Sequence, residues 1–259
     1  MITFQSLGRS GQLANQLFQY ALLFAVSKRT GYDFGVPYKN VSTNKFEDFT
    51  LPYIFPNLTA KDSSDFISEY QYQEKDKDFW TFLPDVFDVK DNTNFNGYFQ
   101  AEKYFLPHRE DLLNEFTSLP IYSERASNVL SALRSKDRQV VFLHVRRGDA
   151  LYNKSLVQPT ISYYYQAVKH FPDAHFIILT DDRRWCRRLR LHNMSFSPFV
   201  DKFDDFELMR QADGGIICSS TFSWWGAWLG NPQRKIVMPK KWSKTHSAGD
   251  ILVDNWIKE

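Results

Sequence analysis

Gln139-Val140-Val141-Phe142-Leu143-His144-Val145-Arg146-Arg147-Gly148-Asp149 joins a continuous apolar run to two adjacent guanidiniums and a Gly-Asp turn. The apolar part reads as a strand buried on both faces, and ligands of α/β sheets bind where such strands end. Arginine's planar fork matches phosphate oxygens and stays charged at any working pH, so a pair of them at that edge points to a diphosphate-bearing ligand. Taken alone, the segment fits an ordinary solvated turn equally well.

The same pattern recurs downstream. His175-Phe176-Ile177-Ile178-Leu179-Thr180 is a second predicted strand, followed by Asp181-Asp182, which can cap a helix running through Trp185 and Leu189. Gly215-Ile216-Ile217-Cys218 is a third, leading through Ser219, Ser220, Thr221, Phe222 and Ser223 into the small and aromatic helix Trp224-Trp225-Gly226-Ala227-Trp228-Leu229. Helices are expected near 123–134, 161–170 and 206–212, with a last strand at 235–239. Strands and helices alternating at this length predict an α/β unit built on a doubly wound parallel sheet. Three strand ends then carry polar groups suited to one anion: two arginines and a histidine, Thr180 with two aspartates, and hydroxyls at a helix N-terminus. Each has a plainer reading, as a cap or a turn, but their joint occurrence at successive strand ends favours a ligand crevice.

Upstream, 15–28 places Leu17, Ala21, Phe24 and Ala25 on one face of a helix that Gly31 ends. Residues 38–118 are rich in aromatics and broken by Pro52, Pro56, Pro84 and Pro107. Irregular aromatic packing is expected there. Glu74-Lys75-Asp76-Lys77-Asp78 contains Asp-x-Asp, but its charge run reads as a solvated face and not a metal site. Domain boundaries follow: a first lobe at 1–120, an α/β lobe at 121–240, and a tail at 241–259 that packs back on the first lobe.

With 259 residues, 43% of them hydrophobic and 17% aromatic, the chain has material for two cores. Thirty-two basic against 30 acidic residues give a net charge of +2, which makes no case for a nucleic-acid partner. Two cysteines, Cys186 and Cys218, fall inside predicted elements, so neither a disulfide framework nor a thiolate metal site is expected. No leader and no apolar run of about 20 residues is visible, which predicts a soluble, cytoplasmic protein without a membrane span. No Gly-x-Gly-x-x-Gly follows a strand, which leaves a dinucleotide-dependent oxidoreductase unsupported.

Four segments resemble the α-1,2-fucosyltransferases of glycosyltransferase family eleven. They are Gly11-Gln12-Leu13-Ala14-Asn15-Gln16-Leu17-Phe18-Gln19-Tyr20-Ala21, His-x-Arg-Arg-Gly-Asp at 144–149, Thr180-Asp181-Asp182 with Trp185, and Ser219-Ser220-Thr221-Phe222-Ser223-Trp224-Trp225-Gly226-Ala227. The resemblance implies a two-lobed GT-B-type fold whose C-terminal lobe holds GDP-fucose. It also implies metal-independent, cofactor-free transfer of fucose, with inversion, to the 2-hydroxyl of a galactose-containing glycan. Carried over, Arg146 grips the diphosphate, Arg147 supports it, His144 lies near the nucleotide, and Asn15 and Gln16 reach the cleft from the first lobe. Asp205 occupies the spacing of an aspartate that holds guanine in related fucosyltransferases, and Ser220, Thr221, Phe222 and Ser223 complete the pocket. Thr180, Asp181 and Asp182 join the donor-binding set. Asp149 is a candidate base by proximity, weighed against a role orienting an arginine, which is preferred. Ala14 and Ala150 depart from the family's usual glycine and tyrosine, which leaves the acceptor open. Another linkage, or a binding protein without catalysis, remains the alternative.

Overall fold

The computed structural model describes residues 1–9, 11–40, 49–75, 80–134, 138–152 and 155–259, with the side chain of Asn40 aside. These fall into two compact units: Met1–Leu119 with Gly249–Val253, and Pro120–Ala248 with Asp254–Glu259. The stretch 241–259 is shared between them, 249–253 with the first unit and the remainder with the second.

The first unit carries β1 (Ile2–Thr3), α1 (Leu13–Thr30), β2 (Phe34–Val36), β3 (Lys61–Asp62), β4 (Tyr70–Gln73), β5 (Thr93–Asn96) and α2 (Arg109–Glu115). Its strands form one parallel sheet in the order β3-β2-β1-β5-β4. This is more regular than the proline-broken sequence of 38–118 predicts: β3 is only two residues long, and the four-residue alternations of β4 and β5 stand among prolines and irregular aromatic segments that hide them. α1 also differs from expectation. From Leu13 to Val26 all but Asn15 is buried, Gln16 and Gln19 included, so the helix runs through the core and not along its surface. Lys28 and Arg29 sit in its last turn, where cations meet the helix dipole favourably, and the Gly31 N–H closes it on the Ser27 carbonyl. Glu74 is buried, not solvated: its carboxylate accepts from the backbone N–H of Tyr98 (2.6 Å) and Phe99 (3.0 Å). Asp76, Lys77 and Asp78 lie outside the described residues.

The second unit carries α3 (Pro120–Arg134), β6 (Val140–Val145), α4 (Ile161–Ala167), β7 (His175–Thr180), α5 (Arg183–Cys186), β8 (Met194–Phe196), α6 (Lys202–Gln211), β9 (Gly214–Ile216), α7 (Thr221–Trp228), β10 (Ile236–Met238) and β11 (Ile257–Lys258). Single 3-10 turns extend α4 through Val168–His170 and α5 through Arg187–Leu189. The sheet order is β11-β10-β9-β6-β7-β8, parallel throughout. From β6 the chain winds outward through β7 and β8, then returns to the other side of β6 with β9. The order reverses between β6 and β9, which makes that crevice the switch point of the sheet.

Every β6 residue is buried, and the two-residue period sorts them. Val141, Leu143 and Val145 join Tyr164, Phe171, Cys186 and Leu189 in one core, leaving Phe142 and His144 to the opposite face. On that face α7 packs tightly on α6. A Cβ at Gly226 would stand 2.7 Å from the Met209 Cβ, so only glycine permits the approach. The Arg234 guanidinium then donates to five carbonyls at the ends of both helices, those of Met209, Arg210, Ala212, Gly226 and Ala227, at 2.7–3.0 Å. α7 is thus fixed at the switch point by packing and by hydrogen bonds together.

Candidate active site

β6, β7 and β9 bring their carboxyl ends together, with Val145 paired to Thr180 and Leu143 to Ile216. The residues expected at those ends therefore share one edge. The Arg146 guanidinium grips Asp149 side-on, Nε to Oδ1 at 3.1 Å and Nη2 to Oδ2 at 2.7 Å. That pairing holds the Asp149 carboxyl below its ordinary range, so Asp149 orients the arginine and is a poor proton acceptor.

Asp181 and Asp182 act on the loop itself. Both Asp181 oxygens are taken by backbone, accepting from the Arg147 N–H at 2.7 Å and the Gly148 N–H at 2.9 Å. Asp182 caps α5 by accepting from the Trp185 N–H (2.8 Å), while its second oxygen takes the Arg147 Nε at 3.3 Å. Thr180 Oγ1 accepts from the Asp182 N–H at 2.9 Å. Trp185 lies under the Arg147 guanidinium, 4.7 Å from its carbon to the ring centroid. The sequence places Thr180, Asp181 and Asp182 among donor contacts; the structure shows them building the frame that aims the arginines. Tyr164 belongs to that frame too, donating its buried hydroxyl to the His144 carbonyl (3.0 Å) and setting its ring edge-on to Trp185. No motif marked Tyr164, because its part depends on the tertiary contact alone.

His144 is almost wholly buried, its Nδ1 3.3 Å from Cys218 Sγ and its ring 6.0 Å from that of Phe222. Burial, reinforced by the charge of Arg146, pushes its pKa down to about 3. The ring is neutral at physiological pH and is no proton shuttle. Burial likewise lifts the Cys218 thiol to about 12, so it is a neutral partner and not a nucleophile.

The first turn of α7 closes the third side. Its cap residue, Ser220, makes no side-chain cap bond, and the Ser219 and Ser220 hydroxyls are buried without a hydrogen-bond partner. Buried polar atoms left open in this way cost stability unless something else completes them, and at a helix N-terminus an anion does so. Ser223 is fully buried and donates to the Ser220 carbonyl at 3.3 Å, whereas Thr221 and Phe222 are half-buried. The Phe222 ring lies between His144 and Phe206, 5.4 Å from the latter.

Asp205 reaches the same edge from the first turns of α6. Its carboxylate accepts from Ser197 Oγ at 2.5 Å, and burial raises its pKa to about 6 against the opposing pull of that hydroxyl and of Arg183. Asn15 and Gln16 belong to the first unit. Gln16 is fully buried, its Oε1 accepting from the Thr50 N–H (2.8 Å) and hydroxyl (3.1 Å) and its Nε2 donating to the Gly11 carbonyl (3.1 Å). It braces those segments and presents nothing at the surface. Asn15 is partly exposed, and its Oδ1 accepts from Gln100 Nε2 at 2.9 Å. Among the described residues no three His, Cys, Asp or Glu side chains converge as metal ligands, and no helix is long and apolar enough to cross a membrane.

Two parallel α/β units, one presenting guanidiniums and an open helix tip at its switch point, are the build of a GT-B-type glycosyltransferase. Residues 4–259 match the profile of glycosyl transferase family 11, and the chain belongs to that family. It is 27% identical to an alpha-1,2-colitosyltransferase of Escherichia coli, over 96% of each chain. It is also 28% identical to a galactoside 2-alpha-L-fucosyltransferase, SEC1, of Bos taurus, over 86% of this chain and 64% of that one. In fold it is similar to the fucosyltransferase NodZ from Bradyrhizobium, with TM-score 0.57, 11% identity, and 88% and 92% of the two chains covered. POFUT1 in complex with GDP is equally similar, with TM-score 0.57, 12% identity, and 92% and 97% covered.

Proposed function

We propose that this chain is an inverting, metal-independent fucosyltransferase that moves L-fucose from GDP-β-L-fucose to the 2-hydroxyl of a galactose-containing acceptor. The observation that carries the reading is Arg146 at the end of β6, across the β6–β9 switch point from the first turn of α7, with Arg147 next to it in the chain and held on the β7 side by Asp182 and Trp185. The relatives named above support the sugar and the linkage.

In this reading the acceptor oxygen bonds to the fucose anomeric carbon from the face opposite the diphosphate. The carbon–oxygen bond to the β-phosphate breaks, its electron pair leaves on GDP, and the hydroxyl proton passes to solvent. Negative charge grows on the leaving diphosphate, and fixed donors aimed at developing charge supply most to such a step. Arg146, held by Asp149, and the α7 N–H groups with Thr221 fill that role, Arg147 supports it, and Asp205 accepts from the guanine edge, while the buried Ser223 hydroxyl, donating to the Ser220 carbonyl, braces the turn. Asn15 is assigned to the transfer on the family resemblance. No base is assigned: pairing with Arg146 lowers the Asp149 pKa and so weakens that carboxylate as a proton acceptor, and His144 is buried with a depressed pKa.

Incubation with GDP-fucose, a panel of galactosides and EDTA, with the linkage read by NMR, tests this. The expected result is an α-1,2-fucosylated product with GDP released in equal amount. Product of another linkage would replace the acceptor assignment, loss of activity in EDTA would remove metal independence, and GDP binding with no product would leave a binding protein. Colitose is a second donor sugar to include, favoured by the Escherichia coli relative that matches over 96% of its length.

A further inference from the structure

The near-neutral total charge conceals one concentrated patch. Arg183, Arg184, Arg187, Arg188 and Arg190 fall within eight residues that hold no acidic side chain, while the rest of the chain is net negative, 27 basic against 30 acidic. All five are exposed. Arg183 and Arg184 lie on α5, Arg187 and Arg188 on the 3-10 turn that continues it, and Arg190 is the left-handed residue that ends that turn; Arg183 and Arg187, and Arg184 and Arg188, are four residues apart and so neighbour each other on one cationic ridge. Arg183 is partly engaged, donating to the Ser197 carbonyl (2.9 Å) and lying over the Phe196 ring. Arg184, Arg187, Arg188 and Arg190 make no ion pair with any described residue. The nearest carboxylates in sequence, Asp181 and Asp182, are turned to the 147–148 backbone and to Arg147.

Mutual repulsion makes such a ridge unfavourable in isolation, and an anionic surface relieves it. Two residues, one close in the chain to a segment that Arg183 holds and one in contact with the ridge, indicate which surface. Val200, three residues beyond the carbonyl that Arg183 holds, is fully exposed at 102%. Tyr165 is 38% exposed and anchors its hydroxyl on the Arg188 carbonyl. A bare aliphatic side chain and an amphipathic ring beside a cationic ridge suit the headgroup and upper acyl region of a bilayer; a nucleic acid offers Val200 nothing.

We propose that the Arg183–Arg190 ridge, with Val200 beside it, docks the second unit on a membrane surface rich in anionic phospholipid. The docking is peripheral and electrostatic, and it does not depend on which sugar or acceptor the enzyme uses.

Co-sedimentation with vesicles tests it. The full chain is mixed with vesicles of phosphatidylcholine alone or containing about 30% phosphatidylglycerol, at low and at high salt. Binding is expected only to the anionic vesicles and is released by salt. The quadruple variant Arg184→Gln, Arg187→Gln, Arg188→Gln, Arg190→Gln should bind roughly several hundredfold more weakly, at about fivefold per arginine, while the corresponding four lysine substitutions retain binding. Transfer to a dissolved acceptor should be unchanged in both variants. Equal binding to neutral vesicles, no binding, or undiminished binding by the glutamine variant would overturn the proposal. So would retention on heparin or single-stranded DNA at salt that strips the protein from vesicles, which would assign the ridge to a polyanion. If the glutamine variant fails to fold, the pair Arg187→Gln, Arg188→Gln and the salt titration of the unaltered protein decide.

Discussion

Arg147 rests on Trp185, with 4.7 Å between the guanidinium carbon and the ring centroid, while Asp182 holds its Nε from the side at 3.3 Å. The arginine is fixed before any ligand arrives. A cation over an indole face is worth up to about 2 kcal/mol when desolvated, and its greater use here is geometric. Trp185→Ala should lower kcat/KM roughly 10- to 30-fold, Trp185→Phe much less, because a phenyl ring still offers a face. Steady-state kinetics with both variants check this, and equal losses in the two would assign Trp185 to packing alone.

The Arg146–Asp149 pair leads to a sharper expectation. Lysine keeps the charge of Arg146 but not the fork that engages Asp149 through two nitrogens and leaves the rest of the guanidinium for the diphosphate. Arg146→Lys should lose on the order of 10²–10³ in kcat, the usual cost of one donor aimed at developing charge. Asp149→Asn should lose less, since it loosens the arginine without removing it. Near-normal turnover in the lysine variant would show that Arg146 is not the diphosphate ligand.

Asp205 makes donor binding depend on pH. Its carboxyl, raised by burial from 3.8 to about 6, must be ionised to accept from guanine N–H groups. Donor KM should therefore rise roughly tenfold per unit as pH falls below about 6, and Asp205→Asn should weaken GDP binding while flattening that profile. Stability moves the other way. The folded state keeps a proton that the unfolded chain releases between pH 3.8 and about 6, so stability falls across that window and the cost is complete above it. At pH 7.5 the asparagine variant should be more stable by about 1–2 kcal/mol, measured by urea denaturation, despite its poorer binding.

Arg234 binds no substrate in this account, yet α7 depends on it. Its guanidinium donates to carbonyls at and just beyond the C-terminal ends of α6 and α7, where helix carbonyls run out of intrahelical donors; that of Ala227 also accepts from the Gly230 N–H at 3.2 Å. Arg234→Met should cost about 3 kcal/mol in denaturant unfolding. It should also raise the KM for GDP-fucose, because the tip of α7 is no longer held at the switch point. An unchanged melting temperature would show the five contacts to be dispensable.

Much of the second unit was legible because its strands are long and its polar groups cluster where they end. Val140–Val145 and His175–Thr180 read directly as buried parallel strands, and the Asp182 cap followed from its place before Trp185. Three features were not legible. Met194–Phe196 is an edge strand whose half-buried residues show no period, and in the first unit Lys61–Asp62 is too short to show one while the brief alternation of Tyr70–Gln73 is masked by the irregular sequence around it. Asp181 looked like a ligand contact because a carboxylate beside two arginines suits that role, whereas its two oxygens go to backbone N–H groups that only the folded loop supplies. The burial of Gln16 is likewise not legible: a polar residue in a shared motif does not show from sequence alone that its amide is engaged by Thr50 and Gly11.

Gln16 is accordingly the place where a bracing role and a substrate role part most cleanly. Its amide satisfies the Thr50 N–H inside the first unit, and Gln16→Leu would leave that donor buried without an acceptor. The variant should lose about 1–3 kcal/mol in unfolding free energy. Measured per folded molecule at low temperature, its KM for donor and acceptor should match the unaltered enzyme. Asn15→Ala should show the opposite pattern, with a small stability change and a large fall in kcat, because Asn15 is partly exposed, its Oδ1 accepting from Gln100 Nε2, and the family resemblance assigns it to the transfer. A Gln16 variant of full stability and raised KM would return that side chain to the substrate, and the buried amide network around Thr50 would need another purpose.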